Sequence, residues 1–520
     1  MSRRARGLGP LRLTREAVKR YFDIHSAIGV IGGLVFFVCS FSGALALFER
    51  ELIAWERPAV RYVAPSAGAE MLGADALLAR AHAHLGDERD LFVTLPTPMN
   101  GGFLARAFGG DRGRDEVMLH PYTGALLPND HDQARAFAFL THLHTDLHLP
   151  RPFGRYLVGL IGVFMMMALI SGVMAHPQAL RNVFLMRWRP RLRLTLSDLH
   201  KQLGVWGLVF GWVMAATGAV IGLLGIFAPI MVLSAFDGDV GKATEAFSGP
   251  HAEKTGVHAA MLPVSSLIET LEQRVPDTEV RSFLISHWGD ETAEVALNLT
   301  PTPYRAMVAG ETHRVSLVDG STIHVSTFTT RGAGTRLFGT VQPLHYGLFG
   351  GRALKLVYFV SGILLSLMIA TGSLIWLERR RAQQPVDARD RYRGLERLHV
   401  GVTVGIVLAS AVAIAVGRFA SAYTEPAFWL AWLGVIAVAY GMRDVYALMR
   451  IGGWLTGGVL CATAAGDLLL SSVQTPATIQ VSWVVLVIGF VILGLSAIRP
   501  SGRARSAAAP LRTAAASPPP

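Results

Sequence analysis

The chain has 520 residues, 51% hydrophobic and 16% charged, with a mean hydropathy of +0.40. Soluble domains carry about a quarter charged residues, so an ordinary soluble multidomain protein is excluded. The net charge of +11 gathers beside apolar runs, which marks membrane topology rather than nucleic-acid binding. Cys39 and Cys461 both lie in apolar runs and form no CxxC pair. That removes a cysteine metal cluster, covalent c-type haem and a disulfide framework, and leaves two small packing residues.

Residues 1–25 form a basic segment with Arg3, Arg4, Arg6, Arg12, Arg15, Lys19 and Arg20. Eight apolar runs follow, at 26–48, 154–175, 201–224, 353–377, 399–417, 427–442, 453–471 and 480–498. A helix of about 20 residues crosses about 30 Å of hydrocarbon. The expected fold is therefore an all-α polytopic membrane protein, with the last four runs making a bundle over 399–498. The first run exceeds the apolar core of a secretory signal and is followed by Glu49 and Glu51, so it reads as an uncleaved anchor.

Basic residues also crowd 176–200 with the adjoining Lys201 (Arg181, Arg187, Arg189, Arg191, Arg193), 378–398 (Arg379, Arg380, Arg381, Arg389, Arg391, Arg393, Arg397) and the tail 499–520 (Arg499, Arg503, Arg505). An even number of spans puts all of them on one side, and the excess of positive charge makes that side cytoplasmic. The long segments 49–150 and 226–345 then face outward. Each reads as a small α+β domain. The first has a helix-like stretch at 71–85, strand-like stretches at 91–94 and 116–120, and a Pro121-Tyr122-Thr123-Gly124 turn. The second has a helix-like stretch at 264–274 and strand-like stretches at 279–285, 294–299 and 313–318. The end of the tail, 513–520, has the composition of a disordered segment.

The most informative feature is an internal repeat. Asp23-Ile24-His25 with Gly29 and Gly32 returns as Asp198-Leu199-His200 with Gly204 and Gly207, and Ser42-Gly43 returns as Thr217-Gly218, all at an offset of 175 residues. Likewise Leu143-His144 with Leu147 returns as Leu344-His345 with Leu348, Gly162 as Gly362, and Ser171-Gly172 as Thr371-Gly372. The unit is helix, outer segment, helix, and it occurs twice. Small residues let helices approach closely in lipid, which accounts for Gly43 and Gly218. It does not account for a repeated histidine, because an ionisable group in a span is costly.

The repeat places His25 and His200 near one membrane face and His144 and His345 near the other. Paired imidazoles on facing helices are the usual axial ligands of a low-spin electron-transfer haem, so the four read as ligands of two b-type haems. His142 and His148 crowd His144, and His144 and His148 at i,i+4 suit a shared metal. His176 and His399, at the inner ends of their runs, are further ligand candidates. The histidines of the outer segments, among them His120 and His131, read as solvated surface residues. Asp23 and Asp198 suit helix caps or carboxylates orienting the neighbouring histidines. Asp467, inside a run, suits a proton relay or polar packing. No GxGxxG, P-loop or HExxH motif occurs, so electrons have to come from membrane quinol or a separate reductase.

These paired D-[IL]-H-x3-G-V-x-G openings and L-H-x-x-L entries, with the 117–126 strand and its Pro-Tyr-Thr-Gly turn, resemble the PepSY-associated transmembrane proteins. The likeness is specifically to the iron-regulated ferric-siderophore reductases of the bacterial inner membrane, and it covers about residues 15–380. The resemblance implies two periplasmic PepSY-like domains and haem b held by His25, His200, His144 and His345. It further implies outer-sphere reduction of Fe(III) to Fe(II) on a periplasmic siderophore, with no nucleophile or general base. The last four runs depart from that pattern. They keep two other readings open: a permease for an iron complex, and a non-catalytic regulator whose PepSY-like domains bind a periplasmic partner.

Overall fold

The structure is a computed structural model and describes residues 13–49, 52–86, 89–97, 99, 101–108, 115–128, 135–176, 192–301, 311–327, 333–385 and 392–498. Arg3, Arg4, Arg6, Arg12, Glu51, His131, Arg181, Arg187, Arg189, Arg191, Arg389, Arg391, Arg499, Arg503, Arg505 and the 513–520 tail lie outside the described residues.

In chain order the helices are α1 (Arg15–Ala46), α2 (Ile53–Glu56), α3 (Ala74–Leu85), α4 (Ala136–Thr145), α5 (Phe153–Ala175), α6 (Leu192–Trp206), α7 (Leu208–Gly222) and α8 (Leu224–Ala235). They continue with α9 (Val240–Ser248), α10 (Val264–Arg274), α11 (Ala333–Tyr346), α12 (Gly351–Ala382), α13 (Arg393–Phe419), α14 (Thr424–Gly441), α15 (Ala447–Leu470) and α16 (Pro476–Ala497). Among the described residues seven helices are long and apolar enough to cross a membrane, and the bent pair α6–α7, counted as one span, brings the number to eight. The chain is a multi-pass membrane protein. Side chains such as Ile31, 85% exposed, and Leu469, 82% exposed, would form a costly patch in water and cost nothing against lipid tails.

The expected third span, 201–224, takes a different form. Its helix begins earlier, at Leu192, and breaks at Gly207 with a 66° bend. His200 therefore sits inside a short tilted helix and not at the mouth of a span. Similarly α1 runs 32 residues from an N-cap at Thr14, whose hydroxyl accepts from Ala17 N at 3.2 Å. Asp23 and Asp198 are thus interior to their helices, and neither caps one. The apolar α8 follows α7 after a break at Leu223 and fills the start of the expected second outer segment.

α1, α5, α7 with α6, and α12 pack as a four-helix core: α1 against α5 and α12, α7 against α5, and α6 against α12. The approaches are close where the side chain is only hydrogen. A Cβ on Gly162 would lie 2.8 Å from the Ala215 carbonyl, and one on Gly222 would lie 2.5 Å from the Gly159 Cα.

Both outer segments form one sheet. The strands are β1 (Asp90–Thr94), β2 (Phe103–Phe108), β3 (Asp115–Leu119), β4 (Leu126–Leu127), β5 (Thr278–Ser286), β6 (Glu294–Pro301), β7 (Glu311–Ser316) and β8 (Thr322–Ser326). They are antiparallel in the order β4-β3-β2-β1-β5-β6-β7-β8. Each repeat supplies a helix and four strands, and the halves join where Leu91–Thr94 pairs with Ser282–Ile285. α3 and α10 share one apolar core with the strands, built around Leu77, Leu78, Phe103, Phe283, Leu297 and Leu271. Asp75 of α3 accepts from Val264 N at 2.6 Å and from the Ser265 hydroxyl, so one half caps the helix of the other. The expectation of two separate outer domains therefore becomes one fused unit, because each half would otherwise leave a strand edge unpaired.

α13–α16 pack beside the core. α13 contacts α4 and α1 through an apolar cluster of Phe41, Phe137, Leu140, Ile406, Ala409 and Phe428.

Candidate functional site

The bundle has two ends, one carrying the sheet and one opposite to it. At each end the repeat brings two histidines together. His25 of α1 and His200 of α6 have ring centroids 6.0 Å apart at the end opposite the sheet. His144 of α4 and His345 of α11 have centroids 6.0 Å apart, stacked at 22°, at the sheet end. The four residues come from four helices, and the longest sequence separation within a pair is that of His345 from His144. From His25 to Gly43, where the His144 ring lies, α1 rises about 27 Å, so the two pairs sit near opposite faces of a bilayer.

Each ring is tied by one nitrogen to a helix. Nδ1 of His25 donates to Ala168 O, that of His200 to Met368 O and that of His144 to Cys39 O, each at 2.8 Å. A carbonyl can only accept, so Nδ1 carries the proton and Nε2 keeps its lone pair. His345 Nδ1 lies 2.9 Å from the Thr217 hydroxyl. That hydroxyl donates to Val213 O at 2.6 Å, so here too it accepts from Nδ1. The expectation that Asp23 and Asp198 orient these rings fails, because main-chain carbonyls take the Nδ1 protons of His25 and His200.

The same sequence element builds all four seats. A Ser/Thr-Gly pair occurs at 42–43, 171–172, 217–218 and 371–372. The glycine lets the ring lie on the helix backbone. A Cβ would meet ring Cε1 at 2.7 Å at Gly43 under His144, 3.0 Å at Gly172 under His25, 3.2 Å at Gly218 under His345 and 2.8 Å at Gly372 under His200. At three seats the accepting carbonyl is that of the residue four before the glycine. The hydroxyls of Ser42, Ser171 and Thr371 bond back to carbonyls of that same turn. Generic helix packing at Gly43 and Gly218 is thereby replaced by a specific task, clearing space for an imidazole. The signal was present in the sequence as a fourfold Ser/Thr-Gly, and is readable only once both repeats are superposed.

Of the other candidates, His176 lies within electrostatic reach of His25 and His200. His142 is half-exposed, with Nδ1 3.1 Å from Asp146 Oδ2, which also accepts from Arg151 Nε at 2.7 Å. α4 ends at Thr145, so His148 is not helical (φ 55°) and shares no metal geometry with His144. Its ring stacks on Phe139 and its Nε2 bonds Phe139 O at 3.0 Å. Burial beside that ring pushes the His148 pKa below its ordinary value. His176 ends α5 with its ring edge-on to Phe22 at 6.4 Å. His399 is buried in α13, its ring bonded to the Ala370 carbonyl of α12 in the same stretch as the Met368 carbonyl that holds His200, and its Nε2 has no hydrogen bond. Asp467 is enclosed and saturated, accepting from Arg61 (2.8 Å), Arg418 (2.7 Å), Ser471 (2.9 Å) and Ser482 (2.6 Å). Of its two expected roles, that arrangement matches polar packing.

A cavity of about 310 Å³ opens beside His144 and His345. Its walls are mostly apolar, and its glycines (Gly43, Gly162, Gly218, Gly222, Gly362) flatten them.

Residues 22–379 match the family model described as the PepSY-associated TM region. The chain belongs to this PepSY-associated transmembrane family. The matched stretch of this PepSY-associated protein contains the four-helix core, the fused sheet and all four paired histidines, and it stops in α12, so α13–α16 lie beyond it. A relative from Pseudomonas aeruginosa, the uncharacterized protein PA4219, is 30% identical over 347 residues, covering 64% of this chain and 86% of its own length.

Proposed function

We propose that this PepSY-associated protein is a transmembrane electron carrier. It holds one b-type haem between His25 and His200 and another between His144 and His345, and it reduces ferric siderophore on the sheet side of the bacterial inner membrane. The reading assigns the sheet halves as PepSY-type modules facing the periplasm and the Arg-rich segments to the cytoplasm. One observation carries it. Four half-buried imidazoles have Nδ1 committed to fixed acceptors and Nε2 left open, and they meet as two pairs with centroids 6.0 Å apart. Two imidazoles sharing one metal ion at about 2 Å would have their ring centres about 6 Å apart. The donor set and spacing therefore fit the group.

When bound, haem b supplies a one-electron carrier with two neutral imidazole ligands. The remaining work belongs to the chain. The Nδ1 bonds hold each ring in one tautomer and one orientation, as second-shell bonds to ligating histidines generally do. The glycines give the rings their seats. α1 spans the distance between the pairs. Quinol or a separate reductase delivers electrons at the basic end. At the sheet end a ferric chelate accepts one electron and becomes ferrous, without covalent chemistry, and the siderophore then holds the iron less tightly. The fused sheet stands where such a chelate approaches the outer pair.

The test is an optical spectrum of the purified protein, oxidised and then dithionite-reduced, with pyridine haemochrome quantification. Two haems per chain with sharp reduced α bands are expected, followed by oxidation of the reduced protein by a ferric siderophore. A colourless, folded protein overturns the proposal.

A further inference from the structure

Two cations line the sheet-end cavity, Arg155 and Lys355. They come from different helices, near the start of α5 and of α12. The offset of 200 residues that relates Gly162 to Gly362 and Ser171-Gly172 to Thr371-Gly372 also relates Arg155 to Lys355. They are the same position of the repeat, placed on two walls of one cavity. From each cation the helix runs inward through about two turns to its glycine (Gly162 or Gly362), which lines the apolar interior. Arg155 is exposed at the rim, while Lys355 is half-buried and donates from Nζ to Leu47 O at 3.2 Å, beyond the end of α1. The rim also holds one carboxylate, Glu49, which accepts from the Thr141 hydroxyl at 3.0 Å.

A basic residue at the start of a span is usually an interface anchor. These two instead share a cavity with the open Nε2 atoms of His144 and His345. That cavity suits a flat apolar body whose charged edge points to the rim. A carboxylate taken from water needs a cationic partner, and arginine or lysine gives it a charge-assisted bond.

We propose that Arg155 and Lys355 form a paired carboxylate site, and that the two carboxylates it takes are those on the edge of the macrocycle held by His144 and His345. This rests on the haem reading above and adds the orientation of the group: propionates outward, at the sheet-side rim. Each cation takes one carboxylate. The paired charges also favour the ferrous over the ferric state of that site.

The test is the double variant Arg155→Gln with Lys355→Gln, in the full-length detergent-purified protein. Haem content, haem retention on dilution and spectroelectrochemical midpoint potentials are measured. The double variant should keep bis-imidazole spectra but lose one haem on dilution, with retention about tenfold weaker for each cation removed. One of the two redox transitions should move to lower potential while the other stays. Arg155→Lys with Lys355→Arg should restore both properties. If the double variant does not fold, the single variants read the same shift. Potentials and retention equal to wild type would overturn the inference and leave the haem reading standing. A colourless wild type would overturn both.

Discussion

Asp467 and His144 are both polar side chains enclosed by apolar helices, yet their surroundings treat them differently. In the carboxy-terminal bundle, Asp467 is surrounded by donors: Arg61 and Arg418 share Oδ1 with Ser471, and Ser482 takes Oδ2. Arg61 also donates to the carbonyls of Ala54, Trp55 and Val473, which pins the chain after α1 to the end of α15. In the four-helix core, each histidine is satisfied at one nitrogen and left open at the other. A buried group is costly unless it is bonded. A cluster saturated on all sides therefore reads as architecture, and a set of atoms left open in register reads as a place for a ligand. Position within the membrane alone does not distinguish the two cases.

The strongest way to break this comparison is to remove the open atoms. His200→Ala should cost one of two haems, and His345→Ala the other, with membrane insertion unchanged. Full haem retention by either variant would remove that residue from the ligand set. Next is the saturated cluster. Asp467→Ala strands two buried guanidinium groups, so thermal unfolding should show a loss of about 3–5 kcal/mol with the haem spectrum intact in the surviving folded fraction. Spectral change at unaltered stability would reverse the roles assigned to the two regions.

Smaller changes sharpen the picture. Gly372→Ala puts a methyl group 2.8 Å from the His200 ring, so it should displace that ring and weaken one haem while sparing the other. Thr217→Val removes the acceptor that holds His345 Nδ1. A loss of about 10–100-fold in haem affinity at the sheet end is expected, largely restored in Thr217→Ser. Equal affinity in the valine variant would show that the hydroxyl does not set the tautomer.

The mildest effect concerns Glu56, buried where α4 begins. It accepts from Ala136 N, and a Cβ on Gly417 would lie 2.9 Å from its carboxylate. Burial raises its pKa from 4.5 to about 7, against the opposing effect of that bond and of Arg135. The folded state then binds a proton more tightly than the unfolded chain. The stability it contributes is complete below pH 4.5 and declines as pH rises through about 7. Glu56→Gln should flatten stability across that window, and an unchanged pH profile would place the titration elsewhere.

Much of the architecture was legible before any coordinates. The helix at 264–274 matches α10 residue for residue, and the strand-like stretches at 91–94, 279–285 and 294–299 fall within β1, β5 and β6. Strand β2 escaped notice because Phe103, Ala105 and Ala107 face the core from a segment with little β-branched character. His142 and His148 competed with His144 on spacing alone, and in the structure it is the His144 ring that lies against His345 at 6.0 Å.

By itself the sequence determined the spans and the repeated histidines, since apolar run length and recurrence at a fixed offset are local properties that survive without a fold. Only the tertiary structure decided which ring faces which, and that each ring rests on a glycine of another helix. It alone joined the two outer segments into one sheet at β1 and β5 and brought Arg61 to Asp467. Those contacts link residues from about a hundred to more than four hundred positions apart. The packing of helices and strands creates them, and no periodicity along the chain encodes it.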